Sequence, residues 1–124
     1  MKRILSFFHR FLPDLGSHTT DQPIMNTTIK KQDGKIVVIL KGSLDTAFAA
    51  ETEEAMSPLY DVTGKDIILD CTDLEYISSA GMRIFLDILQ TTNKNGGDVY
   101  IKGIRDEVRH IFVLTGFEKL YKFI

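Results

Sequence analysis

At residues 76–83 the chain reads YISSAGMR, and this stretch decides the fold because a strand pattern gives way there to a helix pattern. The segment before it, Asp66–Cys71, is β-branched and apolar, as is typical of a short buried strand. After it, apolar residues recur at helical spacing, namely Met82, Ile84, Phe85, Leu86, Ile88 and Leu89. Ser78 and Ser79 therefore fall where a loop becomes the N-terminus of a helix. A hydroxyl there can cap free backbone N–H groups, and a phosphate there would meet the positive end of the helix dipole.

The wider stretch DCTDLEYISSAGMR, residues 70–83, resembles the signature of STAS domains, in particular the bacterial anti-sigma-factor antagonists. In that family a strand leads into an acidic-Ser-Ser-Gly-Leu pattern that opens a helix, and a partner kinase phosphorylates a serine there. With Gly81 on the family glycine, Ser79 falls on the phosphorylated serine and Ala80 on the second serine. Ser78 stands in place of the usual aspartate, which is a departure from the pattern. The resemblance covers residues 25–124, with further support from GSLDT at 42–46 and TGF at 115–117.

The resemblance also implies a surface that binds a partner protein around the serine junction. It places the loop with Asp45 and Thr46 beside the serines. The residues expected on this surface are Asp45, Thr46, Ser78, Ser79, Ala80, Gly81 and Arg83. Ordinary capping or turn roles remain open for the serines and for Asp45, and Arg83 is either solvated or a partner contact.

The rest of the chain alternates between strand and helix patterns. Strands are predicted at Thr28–Lys31, Ile36–Leu40, Asp98–Lys102 and Leu120–Ile124, with a tight Asp33-Gly34 hairpin turn after the first. The unbroken apolar run in Ile36–Leu40 indicates a strand covered on both faces. Helices are predicted from Asp45 or Thr46 to about Tyr60, frayed at Pro58, and from Arg105 to Leu114 before Gly116. We therefore predict one α/β domain with a mixed, mostly parallel sheet of four to five strands and helices packed on it.

Length, composition and charge narrow the class of protein. The 124 residues suit one domain, and the apolar and charged fractions, 44% and 26%, are ordinary for a globular protein. A net charge of -2 does not favour nucleic acid as a partner. The only cysteine, Cys71, has no partner for an intramolecular disulfide and is predicted to be a core thiol. No apolar run approaches the roughly 20 residues that span a bilayer, and a cytoplasmic protein is expected.

Motifs for catalysis, metals or cofactors are lacking. The serines do not lie in a Gly-x-Ser-x-Gly elbow, and His9, His18 and His110 are scattered along the chain. No Cys/His spacing indicates zinc, and no glycine-rich phosphate-binding loop is present. We expect that the protein is not an enzyme and that it binds no metal and no cofactor.

Residues 1–24 differ from the rest of the chain. The first twelve, MKRILSFFHRFL, are basic and aromatic, Pro13 ends their helical pattern, and a polar stretch follows. One interpretation is an amphipathic helix that contacts a membrane surface or a partner. The other interpretation, which agrees with the usual behaviour of chain termini, is a flexible extension, or a translation start assigned too early with the true start at Met25. The predicted organisation is an extension, 1–24, and a STAS domain, 25–124.

The function implied by the resemblance is that of a non-enzymatic, cytoplasmic regulator. Unphosphorylated protein would bind an anti-sigma factor that is also a serine kinase, and phosphorylation at Ser79 would end the complex, with a phosphatase able to reverse it. The main alternative is a constitutive STAS subunit of a lipid-transport ABC ATPase, which needs no phosphate cycle. A serine hydrolase is a distant third, since it would need a base near Ser79.

Overall fold

The computed structural model describes residues 25–124, which form a five-stranded sheet and three α-helices. The strands are β1 (Met25–Gln32), β2 (Lys35–Leu44), β3 (Ile67–Ile77), β4 (Val99–Lys102) and β5 (Lys122–Phe123). The helices are α1 (Thr46–Ala55), α2 (Ser79–Lys94) and α3 (Asp106–Thr115), and two 3-10 segments lie at Ser57–Asp61 and Phe117–Leu120. The predicted extension, 1–24, lies outside the described residues.

The strands follow one another across the sheet in chain order, from β1 to β5. β1 runs antiparallel to β2, and the remaining pairs are parallel. The β1–β2 turn uses Asp33 and Gly34, both with positive φ, 55° and 78°, which suits the right-handed twist of a hairpin. The prediction of a mixed, mostly parallel α/β sheet is confirmed.

One face of the sheet carries the core. Side chains alternate between the two faces of a strand, so Val38, Leu69 and Ile101 point to the same side and are fully buried. The helices pack their apolar stripes on this first face. There the rings of Phe85 in α2 and Phe112 in α3 are tilted to each other, with centroids 6.0 Å apart. On the second face, within residues 25–124, Ile39 and Ile68 are only half-buried.

The observed elements differ from the predicted ones at their ends. α1 stops at Ala55 and passes into a 3-10 segment, because Pro58 cannot donate the backbone hydrogen bond that an α-helix needs. Leu86, one of the apolar residues that predicted α2, is only half-buried. β2 and β3 each extend several residues beyond the apolar runs that predicted them.

Cys71 is fully buried on the first face of β3. Burial raises the pKa of its thiol far above the ordinary value, and the nearby Asp70 carboxylate raises it further. The thiol is therefore protonated and inert in the folded protein, as the sequence predicted. None of the helices within residues 25–124 is long and apolar enough to cross a membrane.

Candidate functional site

Two parallel strands extend past the rest of the sheet and lead directly into helices. β4 accompanies β3 only as far as the Asp70–Lys102 pair, whereas β2 and β3 stay paired up to Leu44 and Ile77. The next residues, Asp45 and Ser78, are the N-caps of α1 and α2, and the Ser78 N–H donates to the Leu44 carbonyl over 2.8 Å. Two helix N-termini consequently stand side by side at one edge of the sheet.

Each of these helices is capped by the side chain in front of it. An Asp45 carboxylate oxygen accepts a hydrogen bond from the Phe48 N–H, at 3.2 Å. The Ser78 hydroxyl oxygen accepts one from the Gly81 N–H, also at 3.2 Å. Both side chains satisfy N–H groups that have no partner within their own helix. The capping role left open for Asp45 and Ser78 is thus present, and Ser78 does here what a short acidic side chain can also do.

The two serines differ in exposure. Ser78 is 8% exposed and its oxygen is engaged in the cap. Ser79 is the first residue of α2, is exposed, and its hydroxyl has no hydrogen-bond partner among residues 25–124. Of the pair, Ser79 is therefore the hydroxyl that another protein can reach.

Gly81 sets how closely α2 approaches the strands. It is buried, and a Cβ built on it would lie 2.7 Å from Leu44 Cγ and 2.8 Å from Ile77 Cγ1. Any larger residue would push the first turn of α2 away from both strand ends. The resemblance had pointed to Gly81 as a partner-binding residue, and the structure gives it a packing role beneath that surface.

The remaining predicted residues surround the junction. Thr46 is exposed as the first residue of α1, beside the serine turn because of the Leu44–Ile77 pairing. Ala80 is half-buried, and Arg83 is exposed one turn after Ser79 on the same side of α2. The structure therefore brings all the predicted site residues to one end of the molecule.

Sequence reasoning missed Tyr76. It is 47% exposed on the last part of β3, opposite Ser43 of β2, and the exposed Glu75 and Asp73 precede it. Large aromatic side chains are common anchors in protein interfaces, so an exposed tyrosine next to Ser79 belongs to the candidate surface. The prediction had ended β3 at Cys71, and so did not show that this tyrosine lies on an exposed strand.

Within residues 25–124, no histidine is hydrogen-bonded to either serine of the site. His110, the histidine of the described part, is exposed on α3 and makes no hydrogen bond to Ser79. No group of three His, Cys, Asp or Glu side chains within residues 25–124 is arranged to hold a metal ion. The site presents an exposed Ser79 hydroxyl at the strand-to-helix turn, and Thr46, Tyr76 and Arg83 are exposed around it.

Comparison with known proteins agrees with the fold and the signature. The family model described as STAS domain matches residues 26–124. The anti-sigma-B factor antagonist of Staphylococcus aureus is 29% identical over 96 residues, 77% of this chain and 89% of that protein. Among solved structures, an anti-sigma factor antagonist from Mycobacterium paratuberculosis superposes with a TM-score of 0.69 at 22% identity, covering 81% of this chain and 85% of that one. The Bacillus cell fate determinant SpoIIAA in the phosphorylated form gives 0.61 at 17% identity, covering 80% and 91%.

Proposed function

The chain belongs to the STAS domain family, and from that premise we propose that it is a non-enzymatic, cytoplasmic anti-sigma-factor antagonist switched off by phosphorylation of Ser79. Its partner is an anti-sigma factor with serine kinase activity, and a phosphatase resets it. Relatives named as anti-sigma-factor antagonists support the general role. The switch itself rests on the local geometry of the serine junction.

One observation carries the choice of Ser79. Its hydroxyl is exposed and unengaged among the described residues, while the neighbouring Ser78 hydroxyl is buried in the helix cap. A kinase needs a hydroxyl that can enter its active site without unfolding the substrate. Phosphorylating Ser78 would first require breaking the cap of α2, whereas phosphorylating Ser79 would leave that cap in place.

A phosphate on Ser79 changes the surface and leaves the fold intact. It adds about -1.5 to -2 charges at the first residue of α2, where the helix dipole favours negative charge. Arg83 lies four residues further on, the spacing at which side chains on a helix pair. The phosphate can draw the Arg83 guanidinium away from a partner, so the same event adds negative charge and removes a cation from the interface.

The unmodified surface recognises the partner through complementary contacts. Tyr76 offers an aromatic anchor, and Thr46 and Arg83 offer polar contacts on either side of Ser79. Burying the phosphate between this surface and the partner would cost several kcal/mol in lost hydration, and each 1.4 kcal/mol lowers the affinity about tenfold. One phosphate is therefore enough to end a micromolar complex.

The test is phosphorylation by the cognate kinase with ATP, followed by mass spectrometry that localises the phosphate. We expect it on Ser79, with Ser79→Ala resisting modification and still binding the partner. Ser79→Asp should bind at least about tenfold more weakly, since aspartate carries part of the charge of a phosphate. Ser57→Ala, which removes an exposed serine remote from the junction, is the matched control and should behave as wild type.

The alternative function gives a different result in the same experiment. A constitutive STAS subunit of a lipid-transport ABC ATPase would bind its partner through the same surface without modification. Phosphate found only on Ser78, or on neither serine while binding proceeds normally, would favour that subunit over the switch.

A further inference from the structure

A groove lies between the start of β1 and one side of α1. On α1 its lining residues recur at the spacing of a single helix face, and on β1 they are the first residues of the strand. The cavity in this groove measures about 140 Å³. Its lining combines the Glu51 carboxylate and other polar side chains with the half-buried Met25 and Phe48. The lining residues are Met25, Asn26, Thr27, Phe48, Glu51, Thr52 and Ala55.

The charge of α1 is negative throughout. The helix contains Glu51, Glu53 and Glu54 and no Lys or Arg. These glutamates are half-buried, and they form no ion pair with any residue in the range 25–124. The lining of the groove contains no Lys or Arg either. The groove therefore suits a cationic segment that also carries apolar side chains.

The first twelve residues of the chain have this composition. They carry Lys2, Arg3 and Arg10 and no Asp or Glu, and their apolar residues recur at helical spacing. Both acidic residues of the extension, Asp14 and Asp21, come after this stretch. The basic, aromatic segment and the acidic helix are thus complementary in charge.

The extension also joins the described structure at the groove. Met25 is both the first residue of β1 and part of the groove lining. Residues 13–24 can span about 40 Å when extended, since each residue adds about 3.3–3.6 Å. The length of α1, 10 residues, is only about 15 Å. The intervening segment is therefore long enough for residues 1–12 to reach any part of α1.

We propose that residues 1–12 dock on α1 of the same chain, in the groove beside β1. Their basic side chains pair with the α1 glutamates, and their aromatic side chains cover Met25 and Phe48. Exposed ion pairs contribute little to the free energy of unfolding, so the thermal midpoint of the domain is not a measure of this contact. The contact is independent of the serine switch.

The test places a spin label on the extension of the full chain. Ser6→Cys provides one accessible thiol for a nitroxide, because Cys71 is fully buried. The nitroxide accelerates the relaxation of nearby amide protons, which NMR measures in an isotope-labelled chain. We expect faster relaxation along α1 as far as Ala55 at low salt, and a smaller effect at high salt, because salt screens exposed ion pairs.

Removing the charges from either partner should release the extension. Glu51→Gln with Glu54→Gln changes α1, and Arg3→Gln with Arg10→Gln changes the extension. Each double variant should lower the docking equilibrium constant at least about twofold, because two exposed ion pairs are lost.

Two controls accompany these variants. Asp61→Asn with Glu107→Gln removes the same charge from exposed residues outside the groove and should behave as wild type. The second control mixes a spin-labelled chain that carries no isotope with an isotope-labelled chain that carries no spin label. No faster relaxation is expected in this mixture, because the contact lies within one chain.

Three results would overturn the proposal. The first is faster relaxation along α1 that neither double variant reduces, since a flexible segment tethered at Met25 also passes near α1. The second is an effect in the mixed sample equal to that within one chain, which would make a second copy the occupant. The third is an extension that leaves α1 unaffected and is immobilised only by anionic vesicles, which would assign residues 1–12 to a membrane surface.

Discussion

Ser78 and Ser79 are adjacent in the chain, yet the surroundings of their hydroxyl groups differ. The Ser78 oxygen closes the first turn of α2 by accepting from the Gly81 N–H, and the Ser79 hydroxyl faces outward. The Ser78 side chain stabilises the helix, and the Ser79 side chain is free to contact another molecule. Substituting each one separates these roles.

We expect Ser78→Ala to lower the free energy of unfolding by about 1 kcal/mol, the usual cost of losing a helix cap. Ser79→Ala should stay within about 0.5 kcal/mol of wild type, as exposed substitutions usually do. Urea unfolding of both variants measures the difference. Equal losses, or a larger loss for Ser79→Ala, would contradict the assignment of the cap.

The cap was predictable from residue type, but which serine makes it was not. Either of two adjacent serines can precede a helix, and only the backbone shows that Ser78 is extended while Ser79 is helical. Tyr76 and Gly81 illustrate the same limit. The exposure of Tyr76 depends on where β3 leaves its neighbour β4, and the close packing of Gly81 depends on Leu44, which lies 37 residues earlier.

At the scale of elements, α2 is buried over a wider arc than a simple amphipathic stripe. Its position among α1, α3 and the sheet buries Ile84 and Ile88 as well as Phe85, while Leu86 lies toward one margin. The apolar pattern of the sequence predicted the helix and its inward side. It could not rank Phe85 above Leu86, because that ranking depends on which neighbouring helices flank α2.

Phe85→Ala should cost about 3–5 kcal/mol of unfolding free energy, since it removes a fully buried ring that packs near Phe112. Leu86→Ala should cost no more than about 2 kcal/mol, the lower end of the range for such truncations, because the side chain is half-buried. Chemical unfolding of both variants provides the comparison. A larger loss for Leu86→Ala would show that the stripe is centred elsewhere.

The lengths of β2 and β3 show why strand ends are difficult to predict. Beyond Cys71, β3 continues through Thr72, Asp73 and Glu75, which are polar and exposed. An apolar pattern cannot reveal a strand segment that has little core to face. The candidate site is built on this segment. The family resemblance indicated where the site lies in the sequence, but only the structure shows the shape of the site.

At the scale of the whole molecule, the division into an extension and a domain remains a prediction. A chain that begins at Met25 should unfold at an unchanged temperature, because β1 starts there and the described core is formed by later elements. The buried core includes residues from β2, β3, β4, α2 and α3, and Ala49 of α1 and Phe123 of β5 pack against it. Thermal unfolding of the shortened and full chains tests this. A midpoint lower by several degrees would make residues 1–24 a structural element.

The same pair of chains tests the membrane interpretation of the extension. Sedimentation with anionic vesicles should not distinguish them if residues 1–24 are merely flexible. If the full chain sedimented with the vesicles and the shortened chain did not, the basic, aromatic start of the chain would be the part that binds a membrane surface.

The buried thiol of Cys71 can be used to measure how often the folded protein opens transiently. With no second cysteine in the chain, any reaction with a thiol reagent comes from this one position on β3. In the closed state the sulfur is inaccessible, so labelling proceeds only through transient opening of the strand. The labelling rate should therefore be far slower than that of an unfolded chain, and a partner held at the end of β3 should slow it further. Labelling as fast as in denaturant would show that β3 is not closed in solution.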